Sequence, residues 1–126
     1  MKAGDTFTFS PRVTDRHLWM VISDPEGFPD APLVIVSLTS HDLSKDTACV
    51  LNLGDHRFIR HETSVNYRRA RYVPNSTLDL LVARGDVIPN DPLTPDILQR
   101  VRQGAGDSIH IKEGFRKFLA GQRLID

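Results

Sequence analysis

The first 74 residues are cut into short apolar segments by turn residues, and no gap between consecutive segments has room for a βαβ crossover, which takes about a dozen residues or more. No βαβ unit is expected there. Thr6, Phe7, Thr8 and Phe9 alternate polar and apolar between Gly4-Asp5 and Pro11, the period of a half-buried strand. Residues 18 to 23 form an apolar run stopped by Asp24-Pro25, and residues 33 to 38 a β-branched-rich run stopped by Thr39-Ser40. Residues 26 to 32, with Gly27, Pro29, Asp30 and Pro32, read as the loop between them. Residues 47 to 51, 58 to 59, 64 to 67 and 70 to 73 add further short strands, for a set of about six. Two architectures fit this pattern, an all-β barrel and a coiled, highly twisted sheet. The expected barrel core is Phe7, Phe9, Trp19, Val21, Val34, Val36, Val50, Phe58 and Val65.

Helical signals begin only after Pro74. Ser76 is placed to cap a helix that carries Leu78, Leu81 and Val82 and stops at Gly85. Thr94-Pro95-Asp96 starts a second helix with a capping residue, a proline at the first helical position and an acid in the first turn, followed by Ile97, Leu98, Val101 and Ala105 on one face. Residues 112 to 122 form a third candidate, with Phe115, Phe118 and Leu119 at helical spacing and Gly114 and Gly121 weakening it. A chain of 126 residues cannot be split into two halves that each bury an adequate core. The expected organisation is therefore one domain over residues 1 to 126, mainly β in an α+β sense. Its β-barrel spans 1 to 75, and a helical C-terminal extension over 76 to 126 packs on it.

Sixteen basic and sixteen acidic side chains cancel, so no whole-protein basic field points to nonspecific nucleic-acid binding. The local distribution is uneven. Between His56 and Arg71 stand Arg57, Arg60, Arg68, Arg69 and Arg71 against Glu62, whereas residues 24 to 55 carry six acids against Lys45. This strip reads either as an anion-facing patch or as solvated charge at strand edges. The single cysteine, Cys49, excludes an intrachain disulfide and sits in a strand-like run, as a small buried residue does. Residues 1 to 9 lack the pattern of a signal peptide and no apolar run reaches membrane-spanning length, so the expected location is the cytoplasm, with no membrane partner.

His17, His41, His56, His61 and His110 form no His-Glu-x-x-His motif and have no Cys-x-x-Cys partner, so no metal site and no cofactor are expected. A glycine-rich phosphate loop and a Gly-x-Ser-x-Gly elbow are both missing from the sequence. What remains is a set of strand-end polar residues, Arg16, His17, Thr39, Ser40, Arg68 and Arg71, which adjacent strands can bring together. That set suits phosphodiester chemistry. Charge builds on the nonbridging oxygens in the transition state, where guanidinium groups supply charge-assisted bidentate donors and a hydroxyl such as that of Thr39 adds a neutral one.

Taken in order, Ala3-Gly4-Asp5-Thr6, residues 15 to 24 with Asp15-Arg16-His17, residues 34 to 40 ending in Thr39-Ser40, and residues 64 to 71 with Arg68, Arg69 and Arg71 resemble the PemK/MazF-like toxins of type II toxin-antitoxin systems. The resemblance covers about residues 3 to 75. It implies an SH3-like barrel with short helices, a homodimer, cleavage of single-stranded RNA without a metal, and neutralisation by a cognate antitoxin protein. Carried over by position, Arg16 stabilises the cleaved phosphate, Thr39 matches the threonine after the third strand, and Arg71 matches an arginine that contributes to cleavage in some members. His17 replaces a usual proline, and Arg68 stands where an acidic residue is common. The familiar general base is thereby displaced, and His17, His56 or His61 takes its place as candidate, because a neutral imidazole accepts a proton from a ribose 2′-hydroxyl near pH 7.

The expected catalytic set is thus Arg16, Thr39, Arg71 and His17, with Ser40, Arg57, Arg60, His61, Arg68 and Arg69 holding RNA. The expected activity is endoribonucleolytic transesterification that leaves a 2′,3′-cyclic phosphate. Two rivals use the same residues: a barrel that binds nucleic acid or a protein partner without catalysis, and a barrel whose arginines support only a dimer interface.

Overall fold

The computed structural model describes residues 1–11 and 16–126, so Asp15 of the Asp15-Arg16-His17 motif lies outside the described residues. The sheet is organised by β3 (Pro32–Ser40), in which every residue from Leu33 to Leu38 is buried. A strand that apolar on successive residues must be covered on both faces. It is paired on both edges as well. On one side lie β2 (Trp19–Val21), β1 (Thr6–Phe9) and the edge strand β6 (Val87–Asn90); on the other lie β5 (Thr63–Pro74) and the edge strand β4 (Val50–Leu51). All five ladders are antiparallel. The helices are α1 (Asn75–Ala83), α2 (Pro95–Asp107) and α3 (Glu113–Gly121). Among the described residues no helix is long and apolar enough to cross a membrane.

The period of two along the strands divides the apolar residues into two cores. Val34, Val36 and Leu38 join Leu18, Met20, Ile22, Val65 and Tyr67 against Ile97, Val101 and Ala105 of α2 and Leu119 of α3. Leu33 and Ile35 join Phe7, Trp19, Val21 and Val87 against Leu78 of α1. Each fully buried side chain of this size contributes about 1.5–3 kcal/mol. The expected single barrel interior is corrected accordingly. Phe7, Trp19 and Val21 face one way and Val34, Val36 and Val65 the other, Phe9 and Val50 are only half-buried, and Phe58 is exposed. The sheet is open rather than closed, because the described residues of β4 and β6 pair on one side only. Both edges are poor templates for further pairing, β4 being two residues long and β6 carrying Pro89.

Two further corrections concern the strands. Residues 64–67 and 70–73 are parts of one strand, β5, interrupted by a large bulge: Ser37 pairs Asn66 and Ile35 pairs Arg71, so residues 67–70 lie opposite Val36 alone. Within the bulge Tyr67 and Ala70 turn into the core and Arg68 and Arg69 turn out to solvent. Residues 58–59 are not a strand but part of the turn leading to β5. The C-terminal part is not purely helical either, since β6 completes the sheet beside β1.

The helix starts differ in how local they are. Thr94 caps α2 as its sequence predicts, its hydroxyl accepting from the Ile97 N–H at 3.3 Å with Pro95 opening the helix. The expected cap of α1 is not made. The helix starts after Pro74 with no side-chain cap, and Ser76 inside its first turn instead donates to Asp30 at 2.7 Å. Gly85 ends that segment with φ +78°, the left-handed conformation for which glycine is suited. In α3, Gly114 and Gly121 fall in the first and last turns, and Phe115 and Phe118 pack on Tyr72 with ring centroids 4.6 and 5.4 Å away.

Helix α2 approaches β5 so closely that only glycine fits at 104. A Cβ there would collide with the Tyr67 hydroxyl and stand 2.8 Å from the Cys49 Cβ, and that hydroxyl donates to the Val101 carbonyl at 2.6 Å. Gly104→Ala is predicted to cost about 1–3 kcal/mol through overpacking and loss of that buried hydrogen bond. Urea denaturation measures it, and an unchanged midpoint would contradict the packing described.

Candidate nucleic-acid interface

The β2–β3 register pairs Trp19 with Ser37, and the Leu38 N–H donates to the Leu18 carbonyl at 3.0 Å. Continued past the end of β2, the same register sets His17 beside Thr39 and Arg16 beside Ser40. Across the other edge of β3, Thr39 pairs with Ser64 and Ser40 with Thr63. Three segments far apart in sequence thereby meet at one end of the sheet. Together Arg16, His17, Thr39, Ser40, Arg60 and His61 line a cleft of about 360 Å3, with Leu38, Phe58 and Thr63 completing its wall. Among the described residues that line it, none is acidic.

The turn that delivers Phe58, Arg60 and His61 is held from beneath. Asn52 and Asp55 close it through an N–H to carboxylate bond of 2.8 Å, with Gly54 at φ +99°. His56 is its anchor. Its Nδ1 accepts from the Phe58 N–H at 3.0 Å, and its Nε2 therefore carries the proton and donates to the Asp91 carbonyl at 2.6 Å. The His56 carbonyl accepts from the Ile59 N–H at 3.0 Å, and Ile59 is buried in the core. With His56 and Ile59 turned in, Phe58, Arg60 and His61 are presented outward. The expectation that His56 moves protons is corrected here, since it is buried and both its ring nitrogens are occupied.

His61 is different. It is exposed, and its Nδ1 lies 2.9 Å from the Glu62 carbonyl, which can only accept. The proton therefore sits on Nδ1 and the lone pair on Nε2. Arg16 and Arg60 make no hydrogen bond or ion pair among the described residues, so their guanidinium donors are available to an anion. Cys49 adds no nucleophile, because burial raises its thiol above the ordinary cysteine range.

The remaining expected residues are spread around this centre. Arg68 lines a neighbouring cleft that shares Thr39 as a wall. Arg57 pairs with Asp91 at 3.2 Å and is not a lining residue. Arg69 is exposed on the β5 bulge and lines neither cleft. Arg71 lies opposite Ile35, about 13 Å along β3 from Thr39, and its guanidinium covers the Trp19 ring at 4.8 Å. It is not among the residues of the cleft. Sequence reasoning missed Phe58 as a surface residue because an aromatic reads as core. The usable signal was its position between Arg57 and Arg60, the interleaving of aromatic and basic side chains that single-stranded nucleic acid favours. Comparison of the chain with protein-family models, with curated proteins and with solved structures finds no match.

Because His56 is an anchor and His61 is not, their alanine variants are predicted to separate. His56→Ala removes both ring bonds and leaves their partners unpaired, lowering stability by about 1–3 kcal/mol, whereas His61→Ala leaves it within about 0.5 kcal/mol. Thermal or urea unfolding of the two variants checks this, and equal losses would contradict the division of roles.

Proposed function

We propose that this chain is an endoribonuclease toxin of the PemK/MazF-like type, acting on single-stranded RNA in the cytoplasm and needing no metal cofactor. One observation carries the reading: a cleft whose lining, among the described residues, has two arginines, two histidines and three hydroxyl side chains and no carboxylate. Phosphate is the anion that such a donor set fits best. On this reading the coiled six-stranded sheet is an SH3-like barrel opened between β4 and β6, and the active form is a homodimer held in check by an antitoxin protein.

The chemistry follows from the groups present. Arg16 and Arg60 hold the nonbridging oxygens of the scissile phosphate, with Thr39 as a neutral donor. The ribose 2′-oxygen attacks phosphorus and gives its proton to Nε2 of His61, the P–O5′ bond breaks, and the leaving 5′-oxygen is protonated by the His17 imidazolium. The products are a 2′,3′-cyclic phosphate and a free 5′-hydroxyl. Phe58 offers a ring on which a neighbouring base stacks.

A second reading, binding of nucleic acid or a protein partner without cleavage, is favoured by Arg71, which is engaged with Trp19 instead of the cleft. RNA incubated with the protein in EDTA separates the two. The proposal predicts cleavage to cyclic-phosphate ends, with kcat lowered about 10²–10³-fold by Arg16→Ala and reduced also by Thr39→Ala. RNA bound yet intact with the wild-type protein would establish the second reading, and RNA neither bound nor cut would overturn both.

A further inference from the structure

Beyond the Thr39 wall lies the second cleft, about 220 Å3, lined by Lys45, Asp46, Asn66, Arg68 and His110 among others. It is smaller than the roughly 300–1,000 Å3 typical of sites for drug-sized ligands, which suits a single planar base better than a larger molecule. Its walls are fixed by contacts of their own. Asp46 accepts from the Ala48 N–H at 2.9 Å through one oxygen and from the Ser108 hydroxyl at 2.6 Å through the other, tying the loop after β3 to the end of α2. The Ser108 hydroxyl also accepts from the His110 N–H at 3.0 Å. Arg68 donates to Nδ1 of His110 at 2.9 Å; because a guanidinium can only donate, His110 is neutral in this bond and its Nε2 carries the proton. Ser64 is held by His41, whose Nδ1 lies 2.5 Å from its hydroxyl.

One lining group stands apart from this network. The Asn66 amide makes no side-chain hydrogen bond among the described residues, although Asn66 is half-buried beside the bulge of β5. An amide offers a donor and an acceptor side by side, the arrangement that pairs with a base edge, while Lys45 and Arg68 supply positive charge for its phosphate. Exposed apolar side chains, Leu43 and Ile109, belong to the two loops that bring Lys45 and His110 to the cleft.

The geometry points to the second cleft as a base-selective nucleotide subsite, in which Asn66 reads the edge of the base next to the phosphate held in the first cleft. Thr39, lining both, is the step between them. This inference rests on the RNA reading of the first cleft and adds to it the part that chooses sequence, since phosphate contacts position the chain and base contacts specify it.

The test uses short 2′-fluoro RNA oligonucleotides, which lack the attacking hydroxyl, with one position varied through the four bases and binding followed by fluorescence anisotropy in EDTA. The wild-type protein is expected to prefer one base at one position by about tenfold or more. Asn66→Ala abolishes that preference. Asn66→Asp, nearly isosteric and so a guard against misfolding, replaces donor by acceptor and changes the preferred base. Arg16→Ala weakens binding of all four oligonucleotides alike and keeps the preference. A preference retained in both Asn66 variants, or tight wild-type binding with no preference anywhere, would overturn the subsite while leaving the RNA reading intact. No binding of any oligonucleotide by the wild-type protein would overturn the RNA reading itself.

Discussion

Removal of both faces of β3 from water is the constraint on which the other elements depend. Six consecutive residues, Leu33 to Leu38, are buried, and neither a single covering helix nor a one-sided sheet achieves that. Helices α2 and α3 close one face and α1 the other, while β2 and β5 satisfy the backbone on the two edges. The same strand ends in Thr39-Ser40 at the point where apolar sequence gives way to polar, so the last rung of the ladder is also the floor of the cleft. Packing and site are consequences of one strand. Repacking of β3 would be felt at the cleft through its register with both neighbours.

Holding unpaired arginines near one another carries an electrostatic cost, and the turn after β4 offsets it with a rigid underside. His56 links that turn to the Asp91 carbonyl, which also accepts from the Thr6 hydroxyl at 2.6 Å, so the cleft loop, β1 and the segment after β6 share one acceptor. Arg100 adds a second tie, donating to the Val50 carbonyl at 3.1 Å while pairing with Asp55 at 3.4 Å. Partly exposed ion pairs of this kind contribute little singly, and the buried histidine with its paired nitrogens contributes more. Pre-positioned cations in a fixed wall are what electrostatic stabilisation of a phosphate transition state requires.

Local signals were legible in the sequence and nonlocal ones were not. The start of α2 could be read because Thr94, Pro95 and Asp96 act on their own backbone. That the strands form no βαβ units could be read because the connections are too short for a crossover. Strand β6 was hidden by Pro89 and by its brevity, since only pairing with β1 makes it a strand. The union of residues 64–67 and 70–73 depends on a bulge opposite Val36 that only pairing with β3 defines, information absent from either segment alone. At the cleft, Arg16, His17, Thr39 and Ser40 were chosen by type and by their places at strand ends, and Arg60 and His61 from the basic strip; strand register and the turn after β4 bring them together. Arg71 was chosen by the same reasoning and lies elsewhere, because it stands seven residues along β5 beyond Ser64, the partner of Thr39, and pairs with Ile35. His56 and Phe58 exchange the roles their residue types suggest, the polar one buried and the aromatic one exposed, because two ring bonds and Ile59 fix the turn in that orientation.

The central claim is that the cleft at the end of β3 receives the RNA phosphate. Its most direct test is an amide NMR titration of the wild-type protein with a 2′-fluoro RNA oligonucleotide in EDTA, at low and at raised salt. The account predicts shifts concentrated at Arg16, His17, Thr39, Ser40 and residues 58 to 63, saturating at low salt and weakening steeply as salt rises, with α1 and β6 unaffected. Saturable shifts centred on α1 and β6, or none at the end of β3, would contradict it.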